Sequence, residues 1–178
     1  SNTYSLDFDG TDDYVDLGVN PFGTDLSGAF TVSAWVNFNN FGFDGLFGSS
    51  DAFDYIVNDT GTLLKIRAGG GGETPITHGL TFTTGEWQLF TITRDGSDVC
   101  TVYRNDTAGG TTGTQSGTFA PDYIGRKQTD SYIDGKIDEV AIWNTVLSAN
   151  QVKQLYNGRE PFDARNMATS NLQGYWRM

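Results

Sequence analysis

The nine residues from Phe30 to Phe38 place Phe30, Val32, Ala34, Val36 and Phe38 on one side of an extended chain and Thr31, Ser33, Trp35 and Asn37 on the other. A period of two with β-branched and aromatic residues on the apolar side is the signature of a strand packed on a core. The same reading applies to Tyr4, Leu6 and Phe8, to Val15 and Leu17, to Leu63 through Arg67, and to Gln88, Phe90 and Ile92. Between these runs lie turn clusters: Asp9-Gly10-Thr11-Asp12-Asp13, Asn58-Asp59-Thr60-Gly61, Asp95-Gly96-Ser97-Asp98, Ala108 to Gly117, and Asp134-Gly135. Short strands separated by tight turns leave no room for crossover helices, so a parallel α/β sheet is excluded and a sandwich or jelly roll is expected.

Composition agrees with that reading. The acidic residues are 18 Asp and only 4 Glu, beside 23 Gly and 22 Thr, which is the chemistry of turns and strands and not of helices. At 178 residues the chain has the size of one domain. A net charge of −11, from 11 Lys and Arg against 22 Asp and Glu, argues against nucleic acid or anionic lipid as partners. No apolar run approaches the roughly 20 residues of a membrane helix, and Ser1-Asn2-Thr3-Tyr4 does not read as a leader. The chain is expected to be a piece of something longer. With one cysteine, Cys100, and one histidine, His78, there is neither an intrachain disulfide nor a Cys-based or multi-His metal site. Cys100 reads as a small buried hydrophobe and His78 as a solvated or hydrogen-bonded loop residue.

One helix is legible late in the chain. Ser148 is an N-cap with Gln151 three residues on, Val152, Leu155 and Tyr156 make the apolar stripe, and Asn157-Gly158 closes it. In Asp134 to Trp143 the alternation fails across Asp138-Glu139, which predicts a β-bulge that re-aims Asp138. Residues 159–171 read as a linker.

Four segments in order carry a family resemblance: Leu6 to Val15, Phe30 to Val36, Gly85 to Gly96 running into Val102-Tyr103-Arg104-Asn105, and Tyr132 to Asn144 with Leu147-Ser148. Together they resemble the laminin G-like or concanavalin A-like jelly rolls, in the branch that includes pentraxin-type domains, over residues 4 to 158. The resemblance implies an all-β fold of two antiparallel sheets of about six strands each, with one short C-terminal helix, and a domain spanning 1–158. In many relatives a Gly-Tyr-Trp strand precedes the Phe-Asp-Gly segment, whereas here Gly174-Tyr175-Trp176 comes last. It either opens a following module within 159–178, the reading preferred at this point, or folds back to complete this domain's own sheet.

Calcium is the cofactor the resemblance implies, with Asp9, Thr11 and Asp13 of the first turn set against Asp138 of a late strand. Oxygen-rich turns on neighbouring strands are what that ion needs. A second acidic group is Asp44, Asp51 and Asp54, of which Asp51 or Asp54 resembles a calcium ligand at the ligand rim of laminin G domains. Neither group has EF-hand spacing. Sugar binding calls for aromatic faces beside Asn, Asp and Arg, and Tyr123, Arg126, Lys127 and Tyr132 around a polar turn are the expected glycan rim. Trp35, Trp87 and Trp143 are read as packing residues, and Gly69 to Gly72 as a flexible hairpin tip.

The Glu-x-Asp-x-x-Glu strand of the related glucanases is absent, so a glycoside hydrolase is the least favoured reading. The leading expectation is a non-catalytic module binding a glycan or a surface protein, with calcium, in an extracellular, cell-surface or virion protein alongside neighbouring modules. The competitor is an architectural spacer or decoration module in a phage structural protein or adhesin, and its arguments are the linker-like tail and the apparent start of another module.

Overall fold

The computed structural model describes residues 4–19 and 21–178; Ser1 to Thr3, read above for a leader, and Asn20 lie outside it. In chain order the elements are β1 (Leu6–Asp9), β2 (Val15–Asp16), β3 (Phe30–Phe38), β4 (Asp44–Gly48), β5 (Tyr55–Asn58), β6 (Leu63–Arg67), β7 (Thr74–Thr77), β8 (Gln88–Arg94), β9 (Val99–Arg104), β10 (Thr107–Ala108), β11 (Gly113–Thr114), β12 (Tyr123–Ile124), β13 (Asp134–Trp143), the helix α1 (Ala149–Tyr156) and β14 (Leu172–Trp176). Among the described residues they form two sheets. The eight-stranded one runs β1-β13-β3-β8-β9-β10, with β11 added to β9 and β14 to β13, and the six-stranded one runs β2-β12-β4-β5-β6-β7. The strand ladders are antiparallel, so the expected jelly-roll sandwich is what the chain adopts. No helix among the described residues is long and apolar enough to cross a membrane.

The core between the sheets is built from the faces that alternation assigns, except in β1 and the residues before it, where Phe8 is buried but Tyr4 and Leu6 are exposed. Phe30, Val32, Ala34, Val36 and Phe38 of β3 meet Ile56, Leu64 and Ile66 of the opposite sheet. Burying such side chains contributes about 1.5–3 kcal/mol each. Arg94 is fully buried beside them, which is tolerable because its guanidinium donates to the carbonyls of Leu26, Gly28, Gln115 and Gly117 and lies over the Phe30 ring.

A second apolar cluster lies on the outer face of the eight-stranded sheet. Trp35, Leu89, Ala141 and Trp143 are roofed there by Val152 and Leu155 of α1 and by Ala164 and Met167. The helix carries its capping box: Ser148 accepts the Gln151 N–H, Gln151 reaches back to the Ser148 N–H, and Asn157 is the left-handed C-cap. Residues 159–171, expected to be a linker, instead belong to this roof, and Trp143 Nε1 donates to the Met167 carbonyl at 3.0 Å.

Of the two alternatives for Gly174-Tyr175-Trp176, the structure shows the fold-back. The bulge in β13 lies between Asp138 and Ala141, where Glu139 takes φ 51°. On the edge facing away from β3, β1 pairs with Asp134 to Ile137, and β14 pairs with Val140 to Trp143. The tail thus continues the edge that β1 begins. Left bare, that stretch would be an unpaired strand edge. Its alternation fits both clusters, with Trp176 packed on the main core against Phe22 and Tyr175 against the outer one.

Candidate functional site

The turn after β1 is built by its own carboxylates. Asp9 Oδ1 accepts the Thr11 N–H at 2.8 Å and Asp13 Oδ2 accepts the Asp9 N–H at 3.1 Å. Asp9, Asp12 and Asp13 each present an exposed oxygen within 4.8 Å of the others, a hard-donor set of the kind calcium takes. Asp138 does not join them. The ladder pairs Asp9 with Asp134, which leaves Asp138 four residues, or roughly 13 Å, farther along β13. The structure therefore groups Asp9, Thr11 and Asp13, adds Asp12, and separates Asp138. The late-strand neighbour of the turn is Asp134, held by the side-chain amides of Asn39 at 2.7 Å and of Asn40.

The second acidic group is spent on loop structure. Asp51 accepts Ser49 Oγ at 2.7 Å and the Phe53 N–H at 3.0 Å. Asp54 is buried and accepts the Gly69 N–H at 3.0 Å. Burial pushes the Asp54 carboxyl up despite that bond, with the charges of Asp51 and Asp122 adding to the rise. Asp44 is also buried and is raised to about 6, chiefly by desolvation, against the Gly42 N–H that favours its charged form and with Asp134 adding repulsion.

Tyr123, Arg126, Lys127 and Tyr132 do come together, on the outer face of the six-stranded sheet. The segment after β12 lies flat across β4, and two glycines permit this. A Cβ on Gly45 would stand 2.3 Å from the Lys127 nitrogen, and one on Gly48 would stand 1.9 Å from the Lys127 carbonyl oxygen. Backbone bonds fasten it, from Gly45 N–H to Ser131 O at 3.0 Å and from Ser49 N–H to Lys127 O at 3.1 Å, and Arg126 bridges to Tyr132. The Arg126 guanidinium is sandwiched between Tyr14 and Tyr123, 3.4 and 3.8 Å from their ring centroids. Lys127 Nζ stands over Phe43 at 4.8 Å and Tyr55 at 4.9 Å, with Lys65 Nζ over the same Phe43 ring at 4.7 Å. Leu64 and Ile66 take the core side of β6, so Lys65 and Arg67 project onto this outer face. Lys65 pairs with Asp59 at 2.9 Å, and the Tyr55 hydroxyl donates to Glu73 at 2.7 Å. Tyr14, Tyr55 and Lys65 are members that the sequence reading missed. For Tyr55 and Lys65 the alternation of β5 and β6 was the signal, because it puts them opposite the core-facing Ile56, Leu64 and Ile66.

Several other expectations meet the structure here. Trp35 and Trp143 are buried packing residues, whereas Trp87 is 37% exposed, because Gln88, Phe90 and Ile92 take the core side and leave Trp87 on the other. The glycine tip is tied down by Arg67 Nε donating to the Gly71 carbonyl at 2.7 Å and by the Gly69 bond to Asp54. His78 is fully buried, its Nδ1 accepting the Leu80 N–H at 3.2 Å and its pKa lowered by desolvation. Cys100 is buried as expected, its thiol pushed up to about 12 mainly by desolvation. Glu139 is buried, pairs with Arg177 at 3.1 Å and accepts the Tyr175 hydroxyl, yet desolvation still raises it.

A laminin G-type family model, described as the concanavalin A-like lectin/glucanases superfamily, matches residues 9–153. None of the curated proteins compared with the chain matches it. Among solved structures, a candidate carbohydrate-binding protein from Bacteroides ovatus is similar over 98% of this chain at 21% identity and TM-score 0.68. The chain spans about half of that protein, 52% of its length. A heptameric SAP-like pentraxin from Limulus polyphemus is similar over 85% of this chain and 81% of its own, at 15% identity and TM-score 0.63. Domain 4 of an extracellular GH43 arabinanase from Geobacillus stearothermophilus, solved with arabinotriose, covers 74% of this chain and 69% of its own at 21% identity and TM-score 0.59. At these identities the likeness is one of fold.

Proposed function

We propose that this chain, which belongs to the concanavalin A-like lectin/glucanases superfamily, is a non-catalytic carbohydrate-recognition module acting outside the cell. The observation that carries the reading is the cation and aromatic surface on the outer face of the six-stranded sheet. Four of the 11 Lys and Arg of a chain with net charge −11 stand there over aromatic rings: Lys65, Arg67, Arg126 and Lys127. Rings offer the apolar side of a sugar a platform, and the fixed N–H donors of Arg and Lys meet its hydroxyls. The B. ovatus and G. stearothermophilus structures support a carbohydrate ligand by the names they carry. The architectural alternative drew on a linker-like tail and an apparent next module, and it loses support where Leu172–Trp176 pairs with β13.

Calcium belongs to the proposal in a narrower form than the resemblance implied. Asp9, Asp12 and Asp13 would hold the ion, which would stiffen the first turn against Asp134. Asp138 takes no part in it. A surface protein bearing the glycan, on a cell or a virion, is the partner we infer.

A glycan array probed with the chain in calcium and in EDTA tests the reading. We expect reproducible binding that Lys127→Ala and Arg126→Ala each remove. Binding that survives in both variants would place the ligand elsewhere and overturn this site. Binding lost in EDTA and in Asp13→Asn would assign calcium to the first turn, and binding unaffected by both would remove calcium from the account.

A further inference from the structure

In Gly174-Tyr175-Trp176-Arg177 successive side chains serve opposite faces of the eight-stranded sheet. Trp176 packs on the main core, edge to face with Phe22, and Tyr175 on the outer cluster. A Cβ on Gly174 would stand 2.3 Å from the Trp176 ring, so the indole needs a glycine two residues before it. Tyr175 and Arg177 share the other side, and both reach Glu139. The tyrosine hydroxyl donates to one carboxylate oxygen, and Arg177 Nε pairs with the other at 3.1 Å. Glu139 is buried in the β13 bulge. Stripping a buried carboxylate of its partners is strongly destabilising. The β13 edge therefore demands a strand that brings a Tyr and an Arg in this spacing.

The strand that meets the demand is loosely tethered. β14 pairs with β13 and with no other strand among the described residues, and all five of its residues are half-buried. The chain reaches it through Ala168 to Asn171, strung between two fixed points. Upstream, Met167 is buried and its carbonyl accepts Trp143 Nε1. Downstream, the Asn144 N–H donates to the Asn171 carbonyl at 3.0 Å and Asn171 Nδ2 donates to Asn144 Oδ1 at 3.0 Å. The turn between them is tight, with the Asn171 N–H on the Ala168 carbonyl at 2.8 Å, and Ala168 is held at φ 44°. That left-handed conformation is costly for a residue with a Cβ. Thr169 and Ser170 are exposed, so opening the turn uncovers nothing apolar at its tip. A short hinge under strain favours exchange of the element it carries.

We propose that β14 is an exchangeable strand and that a second copy of this chain is a partner of the β13 edge. Two copies related by a two-fold axis each lay Leu172 to Trp176 along the other's Val140 to Trp143, an isologous contact. The opened hinge spans roughly 13 Å. The ladder, the Glu139 contacts and the Trp176 packing are all remade in the exchanged dimer, and the difference from the monomer is the two opened turns. Strain at Ala168 and concentration therefore set the balance, and return is slow because β14 must first leave the sheet. An unrelated strand would match the ladder but leave Glu139 buried without its donors. The inference is independent of the carbohydrate-recognition reading. Where that reading also holds, the dimer carries two cation and aromatic faces and gains avidity for a surface with many glycans.

The test refolds the full chain from denaturant at high and at low concentration, and sizes the products by chromatography with light scattering. We expect a dimer that grows with the concentration at refolding and, once formed, outlasts dilution. Asn144→Cys combined with Asn171→Cys separates exchange from simple association, since these side chains touch across the ladder and Cys100 is buried. Oxidised after the species are separated, the monomer should close its disulfide within one chain and the dimer should link two, seen as a covalent dimer on a non-reducing gel. Ala168→Gly removes the left-handed penalty and should lower the dimer's equilibrium constant by about tenfold. Deleting Thr169 and Ser170 leaves the turn too short to close and should convert most of the chain to dimer. A chain that is monomeric at every concentration, a dimer whose engineered disulfide stays within one chain, or a dimer share unmoved by Ala168→Gly would overturn the exchange.

Discussion

The two sheets cover their outer faces by opposite means. On the eight-stranded sheet, α1 and the tail lay Val152, Leu155, Ala164 and Met167 over Trp143, Ala141 and Leu89, a dry apolar cover that stabilises through buried area. On the six-stranded sheet a bare backbone segment lies on Gly45 and Gly48, and cations sit on aromatic rings around it. Such contacts contribute about 0.5–2 kcal/mol each and leave donors and ring edges at the surface. One outer face is spent on stability, and the other keeps cations and aromatic rings at the surface.

Removing the largest side chain under the apolar cover is the strongest way to break that contrast. Trp143→Ala should cost about 3–5 kcal/mol, read as a lower denaturant midpoint, and should unseat the tail whose Met167 carbonyl accepts its N–H. A cost below that of a surface substitution would mean that the cover is not a second core.

Burial of Asp44 gives the next effect. Its folded-state pKa of about 6 lies above the 3.8 of an unperturbed aspartate. Its contribution to stability is therefore fully present below pH 3.8 and lost as pH rises through 6, by an amount on the order of 3 kcal/mol. Asp44→Asn, unfolded by denaturant in EDTA across that range, should lack this loss and gain on the parent chain as pH rises. Parallel stability curves for the two chains would show that Asp44 does not titrate in this way.

Gly48→Ala should cost about 1–3 kcal/mol by overpacking while lifting the Lys127 segment off β4, so glycan binding should fall far more than stability. Equal losses of both would dissolve the distinction between a ligand face and a stability face. The smallest effect is that of Arg126→Ala, about 1 kcal/mol in stability with glycan binding lost.

Much of this fold was legible before any coordinate. The period of Phe30 to Phe38, the Ser148 capping box and the bulge at Asp138-Glu139 are local signals, and each is where it was expected. The missed features depend on long-range register or on absent atoms. Asp138 was set against the first turn because nothing local says that Asp9 pairs with Asp134. Nothing local marks Gly45 and Gly48, since the segment they admit is some 80 residues away in the chain. The tail read as a linker because 159–171 is polar, although two small apolar anchors, Ala164 and Met167, suffice to seat it.

The most direct test of the central claim is to map the array's strongest glycan onto the chain by backbone and side-chain chemical shifts. The account predicts that the perturbations include a contiguous patch at Tyr14, Phe43, Tyr55, Lys65 and residues 123–132, and that Gly48→Ala erases this patch with the core resonances in place. Perturbations confined to the β9 to β11 end of the eight-stranded sheet, with those residues silent, would contradict it.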